Sequence, residues 1–234
     1  MQHIQTVLAK SGAYSRRETG RMIEQKRVTV NGVTCTHSTE VLPEDVILID
    51  GKPLPEPAER IYLAFHKPAG ITCTAQQKVE GNLVDYLNFD TRIFAVGRLD
   101  KASTGLLLLT NDGSIVNPLM KEESAKEKEY LVETKRPLSD EMIEKMCAGG
   151  LLIKGKSASP AFAEKTGEYT FRIILRQGLN RQIRRMCSAF GNQVISLKRI
   201  RISHIHLGSL APGKWRALTT EEVQLLKEGI NDKR

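Results

Sequence analysis

Apolar and polar positions change period along the chain, and those changes divide it into elements. Ile4, Val7 and Leu8 recur at helical spacing and stop at Ser11-Gly12. A second helix is predicted after Ser15, with Glu18 three residues on as the partner of a capping box. Met22 and Ile23 supply part of its apolar face, and Arg16, Arg17 and Arg21 its basic one. The period then switches to two. Val28 and Val30 alternate into Asn31-Gly32 and Val33 follows, which signals a hairpin; residues 46–49 and the turn Asp50-Gly51 come next. Pro53, Pro55 and Pro57 cannot continue a helix or a sheet interior, so they predict a stiff extended linker. The expected division is a first module over 1–54, a linker over 55–59 and a second domain over 60–234.

In the second domain, residues 60–66 read as a strand turned by Lys67-Pro68-Ala69-Gly70, and residues 81–88 as a short helix. Two short apolar runs, 93–96 and 106–109, are bracketed by Gly97 and by Asn111-Asp112-Gly113; they read as buried strands, although runs this short also fit a helix segment. Between them, Asp100 stands in a tight loop flanked by Arg98 and Lys101. A carboxylate set between cations suits a nucleophile or a base, and an aspartate that caps a turn is the alternative. A helix is predicted from Asp112-Gly113-Ser114 to about Lys121, across Pro118. Strands are predicted over 127–132, 171–175 and 197–202, and helices over 137–148 (capped by Ser139) and 221–227. Asn180 is the expected cap of a further helix ending at Gly191. On that helix Ile183, Met186, Cys187 and Phe190 share one face, while Arg181, Arg184 and Arg185 form a cationic strip by its N-terminus.

Composition narrows the reading. Apolar residues are 40% and charged residues 26% of the 234, ordinary for a globular chain, and no apolar run approaches the roughly 20 residues of a membrane helix. The N-terminus lacks the apolar core of a signal peptide. Cys35, Cys73, Cys147 and Cys187 are dispersed, which suggests free thiols in a reducing cytoplasm and no zinc site. His204 and His206 are expected to alternate on one strand face; they lack companions for a metal site and read as structural or RNA-facing. Charge changes the picture most. The net is +8, yet residues 169–220 contain ten basic residues and no acidic one, so that stretch carries +10 and the rest sums to −2. Such one-sided clustering is the footprint of a polyanion partner.

Specific motifs sharpen this. The stretch G-R-L-D-K-A-S-T-G followed by four leucines, then K-E-Y at 128–130, then G-L-N-R-Q-I-R-R-M at 178–186, resembles three motifs of the bacterial rRNA pseudouridine synthase family. K-P-x-G at 67–70 and Gly213-Lys214-Trp215-Arg216, a closing turn, also match. The first module, with S-R-R-E and V-x-V-N-G, resembles the S4 RNA-binding domain, although its opening helix departs from the usual start. Ser103 and the phrases around Tyr130 and Arg184 lean toward the family's F-type branch, which acts on large-subunit rRNA.

The resemblance implies an α+β fold: an S4 domain followed by a catalytic domain with a mostly antiparallel mixed sheet flanked by helices. It implies that Asp100 attacks C1′ of a uridine or removes a proton from C2′, that Tyr130 stacks on the uracil, and that Arg184 pairs with Asp100. Leu197 is expected against the target base. RNA is expected to meet Arg16, Arg17, Arg21, Arg98, Lys101, Arg181, Gln182, Arg185, Lys198, Arg199 and Arg201. The isomerisation needs no cofactor and no metal. The expected partner is ribosomal RNA, as naked RNA or in an assembling large subunit, with tRNA open. A cytoplasmic monomer without membrane contact is expected. The competing reading is a non-catalytic S4-type RNA-binding or ribosome-assembly protein.

Overall fold

The computed structural model describes residues 1–74, 76, 79–120 and 126–231. The chain divides into two compact units: Met1–Ile61 with Phe89–Ile93 and Thr110–Ser114, and Tyr62–Asn88 with Phe94–Leu109 and Ile115–Arg234. No helix among the described residues is long and apolar enough to cross a membrane.

In the first unit, β1 (Gln2–His3) runs into α1 (Ile4–Lys10), and α2 (Arg16–Glu24) follows. The capping box is complete. Ser15 Oγ accepts from Glu18 N at 3.1 Å, and Glu18 Oε2 accepts from Ser15 N at 3.2 Å. Two N–H groups that a helix start would leave unpaired are thereby satisfied. β2 (Val28–Val30) and β3 (Val33–Thr34) form a hairpin through Asn31 and Gly32, at φ 51 and φ 79. Positive φ at both central residues is what a two-residue hairpin turn of matching twist requires. β4 (Glu40–Val41) pairs with β1, and β5 (Ile47–Ile49) forms a second hairpin with β6 (Lys52–Pro53) through Asp50 and Gly51. The sheet order is β3-β2-β5-β6. Pro53, the first of the three prolines, therefore ends an edge strand, where a missing N–H costs no ladder bond. Ile4, Leu8, Met22, Ile23, Val28 and Ile49 fill the core. Further along the unit, Asn111 holds the chain after the prolines: its Oδ1 accepts from Ile61 N at 2.9 Å and its Nδ2 donates to Glu59 O at 2.7 Å.

The second unit begins with β7 (Tyr62–Lys67), α3 (Leu83–Leu87), β8 (Phe94–Val96) and β9 (Thr104–Thr110). In α4 (Val116–Met120) Pro118 falls in the first turn, where its absent N–H has no helical partner to lose; the expected end near Lys121 lies outside the described residues. Next come β10 (Lys128–Thr134), α5 (Asp140–Ala148), β11 (Leu152–Ile153), β12 (Lys156–Ser157) and β13 (Phe162–Lys165). The chain ends with β14 (Thr170–Leu175), α6 (Gln182–Ala189), β15 (Val194–Ile202), β16 (Ile205–His206), β17 (Trp215–Ala217) and α7 (Thr220–Asn231).

One large sheet runs β13-β14-β10-β15-β9-β7-β17, with β16 on β15 and β8 on β9. The pairings of β10 with β14 and β15, of β13 with β14 and of β7 with β17 are antiparallel, whereas β9 and β15 are parallel. The expected mixed, mostly antiparallel sheet is thus present. Two turns differ from expectation. Trp215–Ala217 does more than close the domain, since it adds an edge strand with Trp215 in register with Phe65. His204 and His206 do not share a strand face: His204 donates through Nε2 to Glu222 O at 2.9 Å, and only His206 lies in β16.

Helices α5 and α6 cover one core, where Met142, Met146, Ile183, Met186 and Cys187 pack on Val132, Phe171 and Ile173. A second core gathers Ala64, Leu106, Leu108 and Ile202 with Ile115, Leu119 and Leu226. The four leucines of the sequence are all buried in β9, as a central strand covered on both faces requires.

Candidate active site

Asp100 stands in the loop between β8 and β9. Gly97 opens this loop at φ +78, a left-handed backbone that favours glycine. Lys67, at the end of β7, holds the loop from within. It is fully buried, and its Nζ donates to the carbonyl oxygens of Pro68 (2.8 Å), Lys101 (3.3 Å) and Ser103 (2.8 Å). Those acceptors replace the water an ammonium loses on burial. Burial still pushes the Lys67 pKa down, against the opposing pull of Cys73 and Asp100. Gly70 N donates to Lys101 O at 2.8 Å, so the K-P-x-G turn and the aspartate loop form one backbone knot.

Across from the loop, α6 presents its first turn. The expected cap, Asn180, does not cap it: the N-cap is Arg181, in the left-handed region at φ 53 with no side-chain cap. Gln182 closes the turn instead, its Oε1 accepting from Leu179 N at 3.0 Å, while Asn180 O accepts from Arg185 Nε at 3.1 Å. Arg181 Nη1 lies 3.7 Å from Asp100 Oδ2, and Arg184 Nε lies 3.8 Å from the same oxygen. Arg184 is the more deeply placed, its side chain 12% exposed against 49% for Arg181. It also donates to Val194 O at 3.1 Å and to Ser103 Oγ at 3.3 Å. Burial, then repulsion from Arg181, pushes the Arg184 pKa below its ordinary value, and Asp100 opposes both. Further along α6, Cys187 faces the core, where burial pushes its thiol up to about 12 and leaves it unreactive.

The cleft beside Asp100 measures about 550 Å³, within the range that accommodates a small ligand or a single nucleotide. Its wall includes Arg98, Asp100, Lys101, Tyr130, Arg181, Gln182, Leu197 and Arg199. Tyr130 on β10 stands in register with Arg199 on β15. Strand β15 comes this close to β9 because residue 105 is glycine, at φ +105, where a Cβ would collide with the backbone of Arg199.

Several predicted residues lie elsewhere. The register of β10 on β15 shifts between Glu129 and Tyr130: Tyr130 faces Arg199, but Glu129 faces Arg201, leaving Ile200 as the extra residue. Such a bulge re-aims side chains, so Arg199 and Arg201 point to opposite faces despite their spacing. Arg201 meets Glu129 Oε2 at 2.6 Å and Glu127 Oε2 at 3.2 Å, away from the cleft. Lys198 and Arg185 also stay off the cleft wall. Arg16, Arg17 and Arg21 are exposed on α2 of the first unit. Conversely, the wall includes Lys128, which had been given no role. Its signals in the sequence are its place in the K-E-Y motif and its spacing of two residues from Tyr130, on the same strand face. That Arg181 as well as Arg184 reaches Asp100 also went unforeseen, since it depends on the left-handed turn.

Comparison with known proteins shows the family. Residues 61–189, which hold Asp100, Tyr130 and Arg184, match the model of the RNA pseudouridylate synthase family, and residues 3–47 match that of the S4 domain. The chain is 43% identical over 219 residues to the dual-specificity RNA pseudouridine synthase RluF of Escherichia coli, covering 92% of this chain and 75% of that one. It is 35% identical over 236 residues to ribosomal large subunit pseudouridine synthase B of Bacillus subtilis, covering 97% and 96%. A crystal structure of a pseudouridylate synthase superposes with a TM-score of 0.70 at 28% identity, covering 97% of this chain and all of that one. With a paired aspartate at the edge of a nucleotide-sized cleft and matches along nearly its whole length, the chain belongs to the RNA pseudouridylate synthase family.

Proposed function

We propose that this RNA pseudouridine synthase acts on a uridine of ribosomal RNA, with Asp100 as the reacting carboxylate. The observation that carries the proposal is the pairing of Asp100 with two arginines at the cleft. Arg181 and Arg184 each approach it most closely at Oδ2, at 3.7 and 3.8 Å. The arginines orient the group toward the target nucleotide. The carboxylate attacks C1′ of that nucleotide, or removes the proton from C2′, as the electron pair of the C1′–N1 bond leaves with the uracil. The ring turns, C5 bonds to C1′ as the Asp100–C1′ bond breaks (or, after loss of the C2′ proton, as C2′ regains it), and the proton on C5 is lost. Atoms and electrons balance within one nucleotide, so no donor is required.

Tyr130 offers a face for the uracil, and base–aromatic stacking contributes about 1–3 kcal/mol. Leu197 packs against the base. Arg98, Lys101 and Arg181, exposed at the rim, meet phosphates and hold the nucleotide out of its helix. Arg16, Arg17 and Arg21 of the S4 domain add phosphate affinity beyond the target. The name of the Bacillus subtilis relative favours large-subunit rRNA; the dual-specificity name of the other leaves room for a second RNA, for which we keep tRNA. A monomer acting in the cytoplasm, where ribosomal RNA is found, belongs to this reading. A binding-only protein would not need an aspartate paired with two arginines.

The test is tritium release from C5-labelled uridine in rRNA and tRNA transcripts incubated with the protein, followed by mapping of the pseudouridine formed. Release from large-subunit rRNA is expected. Tight binding without release from any transcript would favour the binding-only reading.

A further inference from the structure

The cleft wall holds two cations that the reading above leaves idle. Lys128 and Tyr130 stand two residues apart on β10 and line the cleft together, and Arg199 faces Tyr130 from β15. Arg199 is 3% exposed. Its Nε donates to Leu106 O at 2.7 Å, but its buried Nη2 has no hydrogen-bond partner among the described residues. Lys128 Nζ donates to Lys126 O at 3.1 Å. The nearby carboxylates are engaged elsewhere. Glu127 and Glu129 serve Arg172, Arg176 and Arg201, and Asp100 is paired with Arg181 and Arg184. Burial, then the charge of Arg199, pushes the Lys128 pKa down. A buried donor without a partner and a second cation that it repels together make a place for negative charge.

That charge has two candidate sources, a phosphate and the base itself. The exposed cations Arg98, Lys101 and Arg181 stand at the rim, where the RNA backbone must run. Lys128 and Arg199 instead flank the ring assigned to stacking, beside the buried Leu197. We propose that Lys128 and Arg199 stabilise the uracil anion released when the C1′–N1 bond breaks. This rests on the reading that Asp100 detaches the base. When the bond electrons leave with the ring, negative charge spreads over N1, O2 and O4. The two cations meet it without gaining or losing a proton, and the charge disappears when C5 bonds to C1′ and sheds its proton. Donors fixed where charge develops act on the rate more than on substrate binding.

The experiment measures single-turnover rate and Kd for the full chain, on an RNA that the wild type converts. The target carries either uridine or 5-fluorouridine, whose ring leaves more readily as an anion, and conversion is read as loss of the intact nucleoside from nuclease digests. Lys128→Met is expected to slow uridine about 100-fold while Kd changes by less than about threefold. Lys128→Arg is expected to recover most of the rate. On 5-fluorouridine the Lys128→Met deficit should shrink to less than about tenfold, because a better leaving group needs less help. An equal deficit on both nucleosides would overturn the inference by making Lys128 merely structural. So would a loss confined to Kd, which would assign it to phosphate, or a Lys128→Met protein as fast as wild type. A wild type that never detaches the base would instead remove the reading beneath it.

Discussion

At the scale of single residues, the site is two guanidiniums from one turn of helix meeting one oxygen of one carboxylate. Arg184 has the greater effect on this account, because it is the more deeply placed partner and also ties Ser103 and Val194. Arg184→Ala should lower turnover by about 100-fold or more and cost about 1–3 kcal/mol in urea unfolding. Arg181→Ala, at a half-exposed position, should cost less than about tenfold in turnover and little stability. Equal losses from the two variants in single-turnover assays would contradict this ranking. Asp100, Tyr130 and Arg184 could be picked out of the chain because each sits in a motif. The role of Arg181 could not, because it depends on a left-handed backbone at a residue type that seldom adopts one.

At the scale of elements, the turns and caps were readable wherever local chemistry decides them. The Asn31-Gly32 and Asp50-Gly51 hairpins and the Ser15–Glu18 box follow from two to four neighbouring residues. The bulge at Ile200 was not readable, since it depends on how β15 registers against a strand some seventy residues earlier, roughly the separation of Arg201 and Glu129. That bulge builds a second charged cluster behind the cleft, and the cluster predicts a pH response. Burial pulls the Glu129 carboxyl up, but Arg201 and Arg172 outweigh it and hold the group below its ordinary value of 4.5. Glu127 is likewise held low, by Arg176 and Arg201. A carboxyl depressed on folding contributes stability that is full above the unfolded value and is lost as pH falls through the folded one. Glu129→Gln should therefore be less stable than wild type at neutral pH, by about 1–3 kcal/mol. Its disadvantage should narrow steadily as pH falls below 4.5. Urea midpoints across that range would check it, and a gap independent of pH would contradict it.

At the scale of the whole molecule, the three prolines fall within the last stretch of the segment Met1–Ile61, and the later segments Phe89–Ile93 and Thr110–Ser114 carry no local sign that they join that unit. Neither hydrophobic core of the second unit contains a residue from 1–54. A fragment over 55–234 should therefore still unfold cooperatively, while binding RNA more weakly and with less selectivity. Loss of a cooperative urea transition in that fragment would place the boundary elsewhere. The full chain should bind rRNA with steep salt dependence, because ten basic and no acidic residues fill 169–220. Counterion release predicts a slope of about −3 or steeper in log Kobs against log salt. Arg201 and Arg172 are tied up by glutamates, so charge reversal at either should change that slope little.

The central claim is that Asp100 reacts with the sugar rather than capping its loop. Asp100→Asn is nearly isosteric, so the fold should survive, and removing a negative charge from a basic cleft should leave RNA affinity unchanged or slightly higher. An amide is a poor nucleophile and a poor base, so release of tritium from C5-labelled uridine should fall to background. The measurement that decides is tritium release and RNA Kd on the same Asp100→Asn preparation. Wild-type affinity with no release is the predicted result, and near-normal release would contradict the mechanism.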